Sequence, residues 1–261
     1  MPPRLYVDLP LAPAAALALP PAAARHLQVL RLQPGAALTL FDGRGGEWAA
    51  EVLDVGRRAV QVRVLRHVAV ERELALDVTL ALGMPANDRM DALVEKATEL
   101  GAAALQPLHC ERAVLRLDGE RAERRRAHWQ AVAVAACEQC GRNRVPAVAP
   151  VATLADWLAA LPAAGAAEAR LLLVAPRAQP GAAAAPDLPG SPAAAALTLA
   201  QAARAARCVR LLSGPEGGLT GAEQAAARAA GFVPVTLGAR VLRADTAPLA
   251  ALAALAVTGP D

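Results

Sequence analysis

The chain has 261 residues, enough for one large domain or two modest ones, each with a real core. Its formal net charge is +3 and its pI about 8.9, a balance that permits nucleic-acid binding without demanding it. Mean hydropathy is positive at +0.31, yet every stretch of membrane-spanning length is broken by charges or prolines. The N-terminal run LPLAPAAALALPPAAAR has the look of a signal peptide, but Asp8, Pro10, Pro13, Pro20 and Pro21 interrupt its apolar helix. The sequence points to a soluble, cytoplasmic protein with no membrane partner.

The first seventy residues read as β-structure. RLYVDL is a short strand, and HLQVLRLQPG ends in a Pro-Gly turn. Residues 36–68 hold three apolar runs separated by Asp42-Gly43, Gly45-Gly46 and Gly56. Short strands with glycine turns at this spacing suggest a small barrel. Residues 70–77 form the linker, which places a domain boundary between 72 and 73.

The rhythm then changes. DVTLALGMP is a strand, and NDRMDALVEKATELG is a helix capped by Asn87 or Asp88 and stopped by Gly101. AALQPLHC is a second strand. A long helix runs from Glu120 to Cys140 with Trp129, Val132, Ala133 and Ala136 at helical spacing, and a short one from Thr153 to Leu161. ARLLLVAP is a strand, and residues 178–196 have the Ala/Pro/Gly-rich composition of a mobile loop. CVRLLSG, a helix from Thr220, FVPVTLG and a last helix APLAALAALAV complete the chain. Strands alternating with helices over residues 73–261 predict an α/β domain with a mainly parallel sheet.

Cys137 and Cys140 form a C-x-x-C, but neither Cys110 nor Cys208 has a close sequence partner. A zinc or redox site therefore lacks its second ligand pair, and no metal is expected. Arg112, Arg116, Arg121, Arg124, Arg125, Arg126, Arg142 and Arg144 cluster in one segment. Glu120 and Glu123 are interleaved with them, so a solvated helix face and an RNA-binding surface fit the charges equally well.

Three strands end in unusual loops, at Pro176, at Gly214 and at Gly238. In an open α/β sheet, ligands bind beyond the carboxyl ends of strands. Glycines there let backbone N–H and C=O groups reach a ligand directly. Ser213-Gly214-Pro215-Glu216-Gly217-Gly218 has the character of such a backbone cradle, closed by a helix whose Thr220 and Glu223 fit a capping box. The fingerprints of dinucleotide-binding and P-loop sites are absent.

Four motifs in fixed order, EKATELGA, ACEQCGRNRVP, LLSGPEGGLTGAE and LGARVLRADTA, resemble the ribosomal RNA small subunit methyltransferase E family. That family belongs to the SPOUT class of knotted methyltransferases. PRLYV, HLQVLRLQPG and LFDGRGG resemble its PUA-like β-barrel, an RNA-binding domain. The resemblance implies two domains, 1–72 and 73–261, the second closed by a trefoil knot in which the C-terminal segment threads a loop. It implies methyl transfer from S-adenosylmethionine to N3 of a uridine in 16S rRNA, within the small ribosomal subunit, by a homodimer.

Carried over residue by residue, the cofactor site comprises Leu173, Val174 and Pro176, then Ser213, Gly214, Pro215, Glu216, Gly217 and Gly218, and finally Leu237, Gly238, Arg240, Val241, Leu242, Arg243 and Thr246. Arg142 is the first candidate to stabilise the uracil anion, with Asn143 and Arg144 positioning the base or its phosphate, and Arg240 and Arg243 as alternatives. Their competing readings are a helix terminus answered by basic residues and ion pairs to Glu216 or Asp245. The chain departs from the family in reading Met84-Pro85-Ala86-Asn87 where a basic residue is common, in carrying Asp245 for Glu, and in a long 178–196 segment. Two rival functions share many of these features: methylation of a ribose 2′-oxygen, and RNA binding without catalysis.

Overall fold

A computed structural model of the chain describes residues 2–57, 59–86, 89–176 and 197–258. The 178–196 segment and the cap expected at Asn87 or Asp88 lie outside the described residues. The chain forms two units. The first comprises Met1–Glu73 and Ala131–Val145, the second Leu74–Gln130 and Pro146–Asp261. A single boundary after residue 72 thus leaves out a second segment of the first unit. Bonds scattered through the sequence hold that segment. The Tyr6 amide donates to Glu138 at 3.0 Å, Arg4 donates to Asn143 Oδ1 at 2.8 Å, and Asn143 Nδ2 donates to the Val70 carbonyl at 2.8 Å.

The first unit contains β1 (Arg4–Tyr6), β2 (Ala16–Ala18), α1 (Pro21–Val29), β3 (Ala37–Phe41), β4 (Glu47–Val55) and β5 (Val60–Val68). The strands pair in the order β1-β3-β4-β5-β2. The three apolar runs expected between 36 and 68 are β3, β4 and β5. Their alternating side chains Leu38, Leu40, Ala50, Val52, Val60, Val62 and Val64 make the core. Residues 21–29, inside the region read as wholly β, are helical instead. Pro21 sits in the first turn, where its missing N–H costs nothing, and Ala23, Ala24 and Leu27 point into the same core. Three alanines in succession favour a helix more than the overall β rhythm suggested.

The second unit contains β6 (Asp77–Gly83), α2 (Arg89–Glu99), β7 (Ala104–His109), α3 (Gly119–Cys140, whose last ten residues belong to the first unit), β8 (Ala147–Val148), β9 (Ala152–Thr153), α4 (Leu154–Ala160), β10 (Glu168–Leu173), β11 (Leu197–Thr198), α5 (Leu199–Ala203), β12 (Cys208–Ser213), α6 (Gly221–Ala229), β13 (Val233–Thr236) and α7 (Thr246–Thr258). The sheet is parallel throughout, in the order β11-β13-β10-β12-β6-β7-β8, with β9 also on β7. Its strands are nearly continuous apolar runs because both faces of the sheet are buried: Val78, Leu80, Ala81, Leu82, Leu211 and Leu212 are all buried. After β13 the chain returns to the middle of the sheet, where α7 packs on β12 and β6 and against α2 and α5.

Register fixes where the site lies. Leu82 pairs with Ser213, Leu172 with Leu212, and Leu173 with Val235. The carboxyl ends of β6, β12, β10 and β13 therefore stop side by side, and their loops open at one edge.

Candidate functional site

A cavity of about 530 Å³ lies at that edge, within the range of small-molecule sites. Its wall comes from three loops: Leu172–Pro176 after β10, Ser213–Leu219 after β12, and residues 237–247 after β13. The structure thus places Leu173, Val174, Pro176, Ser213, Gly214, Pro215, Glu216, Gly217, Gly218, Leu237, Arg240, Val241, Leu242 and Arg243 around one cavity. Gly238 and Thr246 are not among the lining residues. Gly238 turns the chain out of β13 with φ +95°, and Thr246 opens α7. Arg89, Arg112, Leu219, Gln224, Ala244 and Ala247 also line the cavity and were not foreseen as site residues.

The Ser213–Gly218 cradle is a tight turn braced from both sides. Within it, the Gly218 amide donates to the Pro215 carbonyl at 2.8 Å. On one side, Glu216 accepts from the Ala86 amide at 3.0 Å and from Arg89 at 3.3 Å. On the other, Arg112 Nη1 donates to the Gly217 carbonyl at 3.1 Å. The capping box is present and does more than cap. Thr220 accepts from the Glu223 amide, Glu223 accepts from the Thr220 amide at 2.7 Å, and the remaining Glu223 oxygen accepts from the Glu111 amide at 2.8 Å. Segment 111–112 is therefore tied to this loop at two points.

The glycines are required by proximity. A Cβ on Gly214 would stand 3.0 Å from the Leu219 amide nitrogen, and one on Gly217 would stand 2.9 Å from Arg112 Cβ. One on Gly83, at the end of β6, would stand 2.5 Å from Pro215 Cδ. The missing side chain of Gly217 thus makes room for Arg112.

Four arginines line the cavity, Arg89, Arg112, Arg240 and Arg243, with Glu216 as the carboxylate among them. Glu216 pairs with Arg89. Among the described residues neither Arg240 nor Arg243 has an ion-pair partner, and both are exposed. Asp245 accepts a long bond from Thr246 Oγ1 at 3.4 Å. The departure at 84–87 leaves Met84 wholly buried, while Arg89 supplies a cation from the same connection.

Arg142, Asn143 and Arg144 sit in the first unit and are not among the lining residues. Arg142 is buried and donates through Nε to Glu73 at 2.9 Å, with a second bond from Nη2 to the same oxygen. Asn143 is wholly buried, and Arg144 donates to Glu71 at 2.8 Å. Arg4, in the PRLYV stretch, gathers the Gly141 and Arg142 carbonyls and Asn143 Oδ1 while pairing with Glu47. These bonds make the 141–144 segment a brace of the first unit.

Burial pushes the Cys110 and Cys137 thiols each up to about 12, so neither is a thiolate nucleophile near neutrality. Among the described residues no three His, Cys, Asp or Glu side chains gather as a metal site, and no helix is long and apolar enough to cross a membrane. Tyr6 and Phe41 pack ring to ring at 5.6 Å, and Phe41 is fully buried.

Residues 72–256 match the family model of an RNA methyltransferase domain, and residues 19–65 that of an RNA methyltransferase PUA domain. The chain is 36% identical over 240 residues to the ribosomal RNA small subunit methyltransferase E of Synechocystis sp., covering 92% of this chain and 72% of that one. With the enzyme of the same name from Bacillus subtilis it shares 29% identity, covering 88% and 84%. A crystal structure of ribosomal RNA small subunit methyltransferase E from Neisseria gonorrhoeae bound to S-adenosylmethionine superposes with a TM-score of 0.84 at 34% identity, covering 98% of this chain and 97% of that one. A Legionella pneumophila structure with bound S-adenosylmethionine gives 0.86 at 31% identity, covering 100% and 99%.

Proposed function

The chain belongs to the RNA methyltransferase family, and from that premise we propose that it moves the methyl group of S-adenosylmethionine to N3 of a uridine in 16S rRNA of the small ribosomal subunit. The observation that carries this reading is the braced glycine cradle at the convergent ends of β10, β12 and β13. The cavity fits such a cofactor: its volume is adequate, its Leu, Val and Pro side chains suit a purine ring, and its tight turn exposes backbone groups to polar atoms. Leu173, Val174, Pro176, the 213–218 cradle and Leu237–Arg243 would hold it.

When bound, S-adenosylmethionine supplies an activated methyl group. The residues of this chain align the uracil ring and help its N3 shed a proton. Alignment alone is worth several kcal/mol, on the order of 7–11 in the best intramolecular cases. Arg240 and Arg243, cationic and unpaired among the described residues, are suited to stabilise the uracil anion. The Glu216 carboxylate already accepts from the Ala86 amide and from Arg89. The uridine must be unstacked to expose N3, which favours a single-stranded or flexible segment of the RNA.

The acceptor atom is tested by deleting the gene, digesting the bulk rRNA to nucleosides and looking for the lost species by mass. Loss of a base-methylated uridine supports the proposal; loss of a ribose-methylated nucleoside, or of none, defeats it. We further assign the enzyme to the cytoplasm, as a metal-free homodimer. A chelator should leave the rate unchanged.

A further inference from the structure

Arg112 lines the cofactor cavity, yet nothing in the family motifs marked it. It lies just beyond β7, in the segment that leads to α3. One of its five N–H donors goes to the Gly217 carbonyl at 3.1 Å, and its Cβ fills the space left by the absent Gly217 side chain. Its neighbour Glu111 is fixed through its amide to Glu223 at 2.8 Å. The backbone carrying Arg112 is therefore anchored, while the guanidinium is exposed and, among the described residues, has no carboxylate partner. Glu216, the carboxylate lining the cavity, is taken by Arg89.

An anchored guanidinium with spare donors beside a ligand cavity is suited to a phosphodiester, which it can grip through two parallel N–H bonds. We infer that Arg112 holds a phosphate of the RNA strand next to the target nucleotide, and through its bond to Gly217 couples RNA binding to the cofactor cradle. The inference rests on the methyltransferase reading and deepens it. Once a phosphate fixes the guanidinium, Nη1 is held in place against the Gly217 carbonyl, and the turn loses freedom it would otherwise surrender on binding cofactor. Each ligand then favours the other, by the same factor in both directions.

The test uses the full chain, S-adenosylhomocysteine as the cofactor probe and unmethylated 16S RNA transcript. Wild-type protein should bind the probe several-fold more tightly when RNA is saturating. Arg112→Ala should lose that gain and raise the KM for RNA about tenfold. Its log-affinity for RNA should fall less steeply with log salt, by about 0.7, the increment for one phosphate on a single strand. Arg112→Lys should restore the salt slope but only part of the coupling, since an ammonium cannot make the paired bonds. An unchanged RNA KM and salt slope in a folded Arg112→Ala protein would overturn the inference alone, as would weaker probe binding without RNA and a normal slope, which marks a brace and nothing more. A wild-type protein that binds no cofactor would overturn the methyltransferase reading as well.

Discussion

Arg142 and Gly217 show how differently single positions can bear on one activity. Removing Arg142 would strand the half-buried Glu73 carboxylate without its guanidinium. Breaking a buried pair in this way costs about 3–5 kcal/mol, so Arg142→Ala should melt well below wild type while the methylation rate per folded molecule holds. The rate should instead respond at the cavity. Joint replacement of Arg240 and Arg243 by alanine should lower single-turnover methylation by about 10²–10³, the usual loss of an anion-stabilising donor, with the melting curve unchanged. Gly217→Val should push against Arg112 Cβ, 2.9 Å away, a conflict of about 1–3 kcal/mol. Calorimetry should show weaker cofactor binding in a folded protein. The loops that form the cavity were legible as ligand-bearing because they follow apolar strands, while the individual residues came from the family resemblance. The pairing of Arg142 was not legible, because its partner Glu73 is 69 positions away and leaves no periodic trace.

Elements tell a similar story with different exceptions. β6, β7, β10, β12 and β13 stand where apolar runs placed them, since a strand buried on both faces must be apolar throughout. α1 escaped notice because its proline-flanked alanines lie among residues that otherwise build a sheet. The two-residue strands β8 and β9 are too short to carry a pattern. At the start of α6, Thr220→Ala should cost about 1 kcal/mol as a lost cap. Glu223→Ala should cost more, because it also frees the Glu111 amide. Thermal melts of the two variants would rank them. On α3, burial raises the pKa of Glu138, with partial relief from the Tyr6 amide, His26 and Arg4. A carboxyl that binds its proton more tightly when folded loses stability as pH climbs from the ordinary carboxylate value through the raised one. Glu138→Gln keeps an acceptor for Tyr6 and has no charge to bury. Its stability relative to wild type should therefore improve across that window and level off above it, as read from denaturant midpoints at a series of pH values.

At the scale of the molecule, a dimer is the assembly we assign, and light scattering at micromolar protein should give twice the 26.7 kDa chain mass. A monomer with full activity would defeat that assignment. The architecture also sets a timetable for biosynthesis. Arg4 and Tyr6 emerge from the ribosome first, but their partners Asn143 and Glu138 follow more than 130 residues later. The central pair of the sheet, Asp77 with Cys208 through Leu82 with Ser213, closes a comparable gap. A nascent chain can zip β3 to β4 and β4 to β5 early, since those pairings are local. It then carries an unfinished first unit until Val145 is made, and a β6 that has β7 on one side but waits for β12 on the other until translation is nearly done. Long-range parallel pairing is slow and exposes sticky edges while it waits. An RNA methyltransferase of this build would thus be, during its own manufacture, a demanding client of whatever shelters polypeptides at the exit tunnel.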